Sequence, residues 1–152
     1  MTEPRIAGVT AFDRRTRRQR ASDDPVVRYL GELQAEVMAI VWERKSAIVR
    51  EVVDELNKRR KKRRKAQLAY TTVLTLVSRL WARDLLVREP EGRGFRYRAA
   101  KSRDELLGEL SEKLIDRLLD DFGEIAVARL GARLDSLDPK RAAKLARARR
   151  KS

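Results

Sequence analysis

Three threonines, a serine and an arginine recur at helical spacing within residues 69–83 (AYTTVLTLVSRLWAR). At about 100° per residue they fall on one side of a predicted helix, together with a leucine. Hydroxyl groups of this kind hydrogen-bond to base edges or phosphates, and methyl-bearing side chains contact thymine methyl groups in a major groove. We therefore predict a base-reading helix face. It consists of Thr71, Thr72, Leu74, Thr75, Ser78 and Arg79.

The opposite side of the same helix is apolar, because large side chains recur there at steps of three and four residues. An ordinary solvated face would carry mixed Glu and Lys, whereas the outer side here is nearly free of acid. A buried helix with two packed faces is the alternative interpretation. The apolar stripe is formed by Val73, Leu76, Val77, Leu80 and Trp81.

The charge balance narrows the class of partner. Among 152 residues, 37 are Lys or Arg and 23 are Asp or Glu, so the net charge is +14 and the sequence pI is near 10.8. A chain this basic favours polyanions, which here means DNA, RNA or an anionic membrane surface. There is no signal-peptide pattern at the N-terminus, and no segment approaches the ~20 apolar residues that span a bilayer. We expect a cytoplasmic protein without membrane insertion.

Catalytic chemistry has little support in the composition. The chain has neither cysteine nor histidine, which excludes thiol redox chemistry, Cys or His metal sites and the usual nucleophile–base pairs. Asp120 and Asp121 form an acidic pair, but such pairs beside helix breaks are usually solvated or cap a helix, and no Gly-rich phosphate loop accompanies them. We predict that the protein is not an enzyme and needs no cofactor or metal.

An unbroken basic run precedes the base-reading helix, and we call residues 58–65 (KRRKKRRK) the basic segment. Like charges at this density repel one another, so we expect an extended or fraying loop. Its position favours binding to phosphates beside the helix, with a merely solvated loop as the alternative; a nuclear-localisation signal fits by composition alone. The candidate phosphate-binding residues are Lys58, Arg59, Arg60, Lys61, Lys62, Arg63, Arg64 and Lys65.

Residues 1–24 form a second basic region. They carry few large apolar side chains and a cluster of arginines, so they cannot bury enough surface to offset the entropy of ordering. We predict a disordered arm that either tracks a phosphate backbone or remains a solvated tail. The arginines are Arg14, Arg15, Arg17, Arg18 and Arg20.

Two further helices are expected before the base-reading helix. An apolar helical pattern runs from Leu30 to about Trp42. Residues 47–49 form either a very short strand or the lead-in to a second helix, which ends near Asn57. A helix, a break, a second helix, a connector and a third helix with an unusual face follow the order of a helix-turn-helix unit.

A β-hairpin is predicted after the third helix. Residues 85–89 and 95–99 are extended around a Gly-containing turn, and Phe95 and Tyr97 alternate with arginines, so one face packs on the core. A hairpin in this place is a wing, and we predict a winged helix-turn-helix domain over residues 25–101, mainly α with a small β-hairpin wing. Predicted contacts to the DNA backbone or minor groove are Arg93, Arg96 and Arg98, with Tyr70 as a further backbone candidate.

The remaining chain is rich in leucine. Ser102 and Glu105 form a capping box that opens a helical region over residues 102–137, and Asp138–Pro139 begins a basic helix or tail over residues 138–152. Too little chain remains to cover the leucines, which predicts a two-fold dimer; packing against the winged domain is the alternative. The predicted interface residues are Leu106, Leu110, Leu114, Leu118, Phe122, Ile125, Leu130 and Leu134.

Four stretches resemble the penicillinase repressor (BlaI/MecI) family of bacterial transcription regulators: LGELQAEVMAIVW, VREVVDELN, LAYTTVLTLVSRLWARDLL and GRGFRYRAA. The resemblance runs from about Leu30 to Leu137, and the last two stretches are its most specific parts. It implies an N-terminal winged helix-turn-helix domain, a C-terminal dimerisation region and repression from a palindromic operator. It also implies that the base-reading face predicted above lies in the groove.

Two features depart from that family's pattern. Members that respond to β-lactams are cut by a membrane metalloprotease sensor at an Asn–Phe bond, and Lys113–Leu114 stands at this position here. Copper-responsive relatives bind metal through C-terminal cysteines, and this chain has none. A sensor protease is therefore a partner implied by the resemblance alone, against the residues at the cleavage position.

These observations predict a sequence-specific, DNA-binding transcriptional repressor that acts as a homodimer on double-stranded operator DNA. A non-specific nucleoid- or RNA-associated basic protein is the alternative, because the charge alone fits it. The hydroxyl-bearing face and the wing argue against this alternative, since phosphate binding needs neither.

Overall fold

The computed structural model describes residues 23–151, so the predicted N-terminal arm lies outside the described residues except for Asp23 and Asp24. Helices and a small sheet alternate along the first two thirds of the chain, and helices follow. The elements are α1 (Pro25–Leu30), α2 (Glu32–Arg44), β1 (Ser46–Ile48), α3 (Val49–Lys62), α4 (Tyr70–Ala82), β2 (Leu86–Glu91), β3 (Gly94–Ala99), α5 (Arg103–Phe122), α6 (Glu124–Asp135) and α7 (Pro139–Lys151).

The predicted first helical pattern is split into two helices. Asp24 caps α1 by accepting a hydrogen bond from the Val26 N–H group at 2.9 Å. Gly31 then separates α1 from α2, because its φ of 87° lies in the left-handed region, which glycine adopts without a steric penalty. Leu30 therefore ends α1 and does not belong to the helix that carries Val37 and Met38.

The core of the winged domain is built from the apolar stripes of α2, α3 and α4. The predicted stripe of α4 is buried at Val73, Leu76, Val77 and Leu80, but Trp81, predicted as part of the same stripe, is 40% exposed and lies outside the core. Trp42 of α2 is half-buried, and its Nε1–H group donates to the Lys101 carbonyl at 2.9 Å, which ties α2 to the chain that follows the wing.

The three strands form one antiparallel sheet in the order β1-β3-β2. Ala47 of β1 and Arg88 of β2 both pair with Tyr97 of the central strand, and Tyr97 is 2% exposed against the helices. Residues 47–49 thus contribute a strand and the start of α3. The mainly α architecture with a small β-hairpin wing is confirmed.

The basic segment differs from the prediction of an extended loop. Helix α3 continues through residues 58–62, and only the last three residues of the segment leave it. Carboxylates on α2 and α3 neutralise part of the positive charge, and cations in the last turn interact favourably with the helix dipole. Repulsion between like charges is therefore offset, and the helix extends.

The chain divides into two compact units between Leu107 and Gly108. The N-terminal residues of α5 belong to the first unit, and Ser102 caps this helix by accepting from the Glu105 N–H group at 3.1 Å. The second unit contains the rest of α5 with α6 and α7. Asp138 caps α7 as predicted, through a 2.9 Å hydrogen bond from the Arg141 N–H group. Within residues 23–151, no helix is both long and apolar enough to cross a membrane.

Candidate nucleic-acid interface

The outer face of α4 presents the predicted base-reading residues together. Thr71, Thr72, Leu74, Thr75 and Arg79 are exposed, and Ser78 is half-buried. The Thr75 hydroxyl donates to the Thr71 carbonyl at 3.0 Å. Towards an external partner it can therefore offer only its acceptor lone pairs and its methyl group. This chemistry fits an amino group of adenine or cytosine, or a thymine methyl.

The first turn of α4 adds backbone donors beside this face. Its N-cap residue is Ala69, which has no side-chain acceptor, so the first amide groups of the helix remain available. Tyr70 is 40% exposed at the same end, and the Arg50 guanidinium lies 4.9 Å from the centre of its ring. Such a helix N-terminus favours a phosphate group.

Arg50 was not among the residues predicted from the sequence. It occupies the first turn of α3, where the helix dipole favours an acid. A cation in that position is locally unfavourable, and this mismatch could have identified Arg50 from the sequence as a candidate contact residue. The structure places Arg50 beside Tyr70, at the end of α4 that carries the free amide groups.

Two hydrogen bonds join the residues on either side of the basic segment. Asn57 bonds to the carbonyl and N–H groups of Leu68, so residues 58–67 are enclosed between these two positions. Within the basic segment, Arg60 is only 11% exposed and forms an ion pair with Glu36 at 3.0 Å. Arg59 pairs with carboxylates of α2 and α3, and Lys65 pairs with carboxylates of α2. The partners are Glu43 and Glu55 for Arg59, and Glu32 and Glu36 for Lys65.

The other five cations of the basic segment have no carboxylate partner among residues 23–151. All five are exposed. The segment is therefore divided into a paired set, which holds it against α2, and an unpaired set, which is available to an external anion. The unpaired set consists of Lys58, Lys61, Lys62, Arg63 and Arg64.

The three predicted wing arginines do not share one environment. Arg93 lies in the turn after Gly92, is exposed, and has no ion pair within the described chain. Arg96 pairs with Glu91 at 3.0 Å and with Glu51 at 3.3 Å. A third pair joins Arg98 to Glu89 at 2.7 Å. Of these three arginines, Arg93 is therefore the one without a carboxylate partner in the described chain.

Glu51 connects the wing to the helices. Its carboxylate accepts from the Ile48 N–H group at 3.2 Å and forms ion pairs with Arg44 and Arg96. The pKa of Glu51 is lowered, first by the hydrogen bond from Ile48 and then by the two arginines, while burial opposes this shift. A negative charge at this position is stabilised by α2, by the backbone before α3 and by β3 together.

Arg88 of β2 is a second residue that the sequence did not identify. Its Cζ atom lies 3.6 Å from the centre of the Trp81 ring and 4.0 Å from that of Phe95. The guanidinium is therefore held between the last turn of α4 and strand β3. This arrangement also explains why Trp81 remains outside the core.

The second unit carries an apolar surface. Within one chain, Leu114 is 67% exposed, Phe122 60% and Ile125 70%, and the predicted interface residues Leu118, Leu130 and Leu134 are each more than 40% exposed. Leu110 is half-buried. Leu106 was wrongly assigned to the interface, because it is 3% exposed and lies in the core of the first unit.

Comparison with known proteins agrees with this architecture. The sequence profile of the family described as "Penicillinase repressor" matches residues 30–149. Over 82 residues the chain is 38% identical to proteins named "Transcriptional regulator BlaI" from Mycobacterium tuberculosis, in strains CDC 1551 / Oshkosh and ATCC 25618 / H37Rv. The matched stretch covers 53% of this chain and 55% of each relative, so the chain spans about half the length of the curated relatives it matches.

Proposed function

This chain belongs to the penicillinase repressor family, and we propose that it is a transcriptional repressor that binds a palindromic operator as a homodimer. Membership confirms the resemblance drawn from the sequence. In the proposed complex each protomer places α4 in a major groove, and the wing and the basic segment contact phosphates on either strand.

The observation that carries this proposal is the exposed face of α4. An exposed helix face with three threonines, one half-buried serine, an arginine and no acid is unusual for contact with water alone, which ordinarily favours mixed charges. The short threonine and serine side chains also let the helix backbone approach base edges closely. Thr71, Thr72, Leu74, Thr75, Ser78 and Arg79 are the proposed base-reading residues.

Phosphate contacts follow from the unpaired cations. Lys58, Lys61, Lys62, Arg63 and Arg64 extend from the end of α3, and Arg93 lies at the tip of the wing. Tyr70 and the first amide groups of α4 offer hydrogen-bond donors to a phosphate between them. Because Arg59, Arg60, Lys65, Arg96 and Arg98 already have carboxylate partners, they contribute less to binding than the sequence alone indicated.

The exposed apolar surface of the second unit supports dimerisation. Large side chains exposed in a row along α5 and α6 are typical of a surface that is covered by a partner. A second copy is the simplest partner, since a two-fold axis covers the same surface on both chains. Two α4 helices would then read half-sites that lie roughly one helical turn apart. Proteolytic induction is not part of the proposal, because Lys113 and Leu114 stand where the cleaved members of the family carry an Asn–Phe bond.

A non-specific DNA- or RNA-associated protein is the second candidate, and one observation favours it. Helix α7 has seven basic residues and no acidic residue. Together with the unpaired cations of the basic segment, this charge would bind phosphates of any sequence. The two candidates differ in whether the chain discriminates between duplexes of equal length.

The deciding experiment is a binding titration with the DNA upstream of the chain's own gene and with a scrambled duplex of the same length and composition. Both are titrated across a salt series from 50 to 200 mM. A repressor retains a strong preference for the upstream DNA at physiological salt, while its affinity falls about 10³–10⁵-fold over the series if 6–10 phosphates are neutralised. Equal affinity for both duplexes, confirmed by an even genome-wide occupancy profile, supports the second candidate.

A further inference from the structure

The guanidinium of Arg88 lies close to two aromatic rings, one on α4 and one on β3. Its Cζ atom is 3.6 Å from the centre of the Trp81 ring and 4.0 Å from that of Phe95. Each hydrogen-bond donor of a guanidinium points outward in the plane of the group. Neither ring contains an oxygen acceptor, so contact with Trp81 and Phe95 does not occupy these donors in N–H···O hydrogen bonds.

No acceptor within the described part of the chain takes these donors. Arg96 and Arg98, on the neighbouring strand, each have a glutamate partner, whereas Arg88 has none between residues 23 and 151. Arg88 is only half-exposed, yet none of the described side chains contains a buried nitrogen or oxygen atom that lacks a partner. The nitrogen atoms of Arg88 must consequently reach solvent.

We propose that Arg88 is a phosphate-binding residue, and that Trp81 and Phe95 orient its donors toward an oxygen pair of the DNA backbone. This inference rests on the proposed function. A guanidinium matches two phosphate oxygens with parallel hydrogen bonds, and it loses little entropy on binding when its plane is already fixed. A DNA phosphate is the preferred anion, because Arg88 is a wing residue that contacts Trp81 in the last turn of α4, and α4 and the wing are the two elements proposed to contact the duplex.

A purely structural role makes a different prediction. If the stack only joins α4 to the wing, its loss lowers thermal stability but does not change the number of ions released when DNA binds. The dependence of affinity on salt reports that number directly, with a slope of about 0.9 per neutralised phosphate in a double-logarithmic plot. The salt slope therefore separates a phosphate contact from a packing contact.

The experiment compares the full-length chain with its Arg88→Met and Arg88→Lys variants on the upstream duplex and on the scrambled duplex. Arg83→Met is the matched control, because the Arg83 guanidinium also lies over a ring, 4.8 Å from the centre of Tyr29, and already donates to Gln34 at 3.0 Å. We expect Arg88→Met to bind both duplexes roughly tenfold more weakly at 150 mM salt and to lower the slope by about 1. Arg88→Lys should retain the slope but lose part of the affinity, since it keeps the charge without the planar fork.

The proposal is overturned if Arg88→Met has the affinity and salt slope of Arg83→Met. If thermal melting shows that Arg88→Met does not fold, Arg88→Lys decides alone, and wild-type affinity in that variant overturns the proposal. A wild-type chain that binds both duplexes equally counts against the repressor but leaves the slope comparison intact, because phosphate contacts form on either duplex. A wild-type chain that binds neither duplex overturns both.

Discussion

Asn57 and Leu68 are joined by a pair of hydrogen bonds that connects the residues on either side of the basic segment. The Asn57 Nδ2 group donates to the Leu68 carbonyl at 3.0 Å, and the Leu68 N–H group donates to Oδ1 of Asn57 at 2.8 Å. An amide is the side chain that can donate and accept at once. Asn57, five residues before the end of α3, is thereby joined to the residue two positions before α4 begins.

We expect Asn57→Ala to lower the free energy of unfolding by about 1–3 kcal/mol, because two hydrogen bonds are lost and the Leu68 backbone groups lose a partly buried partner. Chemical denaturation measures this loss. Asn57→Asp keeps the acceptor and removes the donor, so its effect should be intermediate. Equal stability of all three proteins would show that water replaces the pair without cost.

The division of the basic segment into paired and unpaired cations predicts two separate effects of the same change in charge. Neutralising Lys61, Lys62 and Arg63 to Gln should reduce the salt slope of DNA binding by about 2–3 and leave the melting temperature nearly unchanged.

The matched control neutralises Arg59, Arg60 and Lys65 to Gln, which removes the same number of charges. This control should lower the melting temperature, because the largely buried Glu36 loses its partners, while the salt slope changes less. The same salt slope in both triple variants would mean that the ion pairs open when DNA binds.

Local pattern predicted α2, α3, α4, the hairpin and the later helices in their order, since apolar spacing and the glycine turn act over a few residues, but it did not predict α1 and left β1 open. It failed for residues 58–62, because Glu36, the carboxylate that pairs with Arg60 and favours this helical extension, lies more than twenty residues earlier in the chain. Trp81 was misplaced for a related reason: its partner Arg88 belongs to the wing, and helical periodicity does not report on the wing. The burial of Leu106 likewise depends on the fold of the whole first unit. The residues proposed to read bases stay predictions, although the structure exposes most of them on one face.

The Thr75 side chain can offer an external partner only the acceptor lone pairs of its hydroxyl and its methyl group. Two substitutions therefore test its role. Thr75→Val keeps the shape and the methyl group, and it should retain operator preference with a loss of at most about tenfold. Thr75→Asp sets a negative charge against the duplex and should abolish operator binding. Gel-shift titration with circular dichroism measures binding and folding together. If a folded, dimeric Thr75→Asp protein retained operator affinity, α4 would not lie in the groove.

Ionised Glu51 should stabilise the protein only above the pH range in which it titrates. Because its pKa is lowered from 4.5 in the folded state, its contribution is present above about pH 4.5 and is lost as the pH falls through the folded pKa. Glu51→Gln should therefore cost about 0.5–1 kcal/mol at pH 7 and much less at pH 3. Denaturation at both pH values measures the difference. Glu89→Gln, which removes a more exposed ion pair, is the control. If Glu51→Gln cost the same free energy of unfolding at both pH values, the ionised form of Glu51 would not be the source of the stabilisation.

The exposed apolar row of α5 should be the part of the second unit that dimerises. Leu118 and Phe122 lie within about 40° of each other on this helix, whereas Lys113 faces roughly the opposite direction. Changing both apolar residues to Glu should yield a folded monomer with strongly reduced operator affinity, because buried unpaired charges are costly and one half-site provides few contacts. Lys113→Glu alters the net charge by the same two units and should remain dimeric. Sedimentation equilibrium measures the mass of each protein. A dimer that survives the double substitution would place the interface elsewhere, since two charges could not remain in a closed apolar contact.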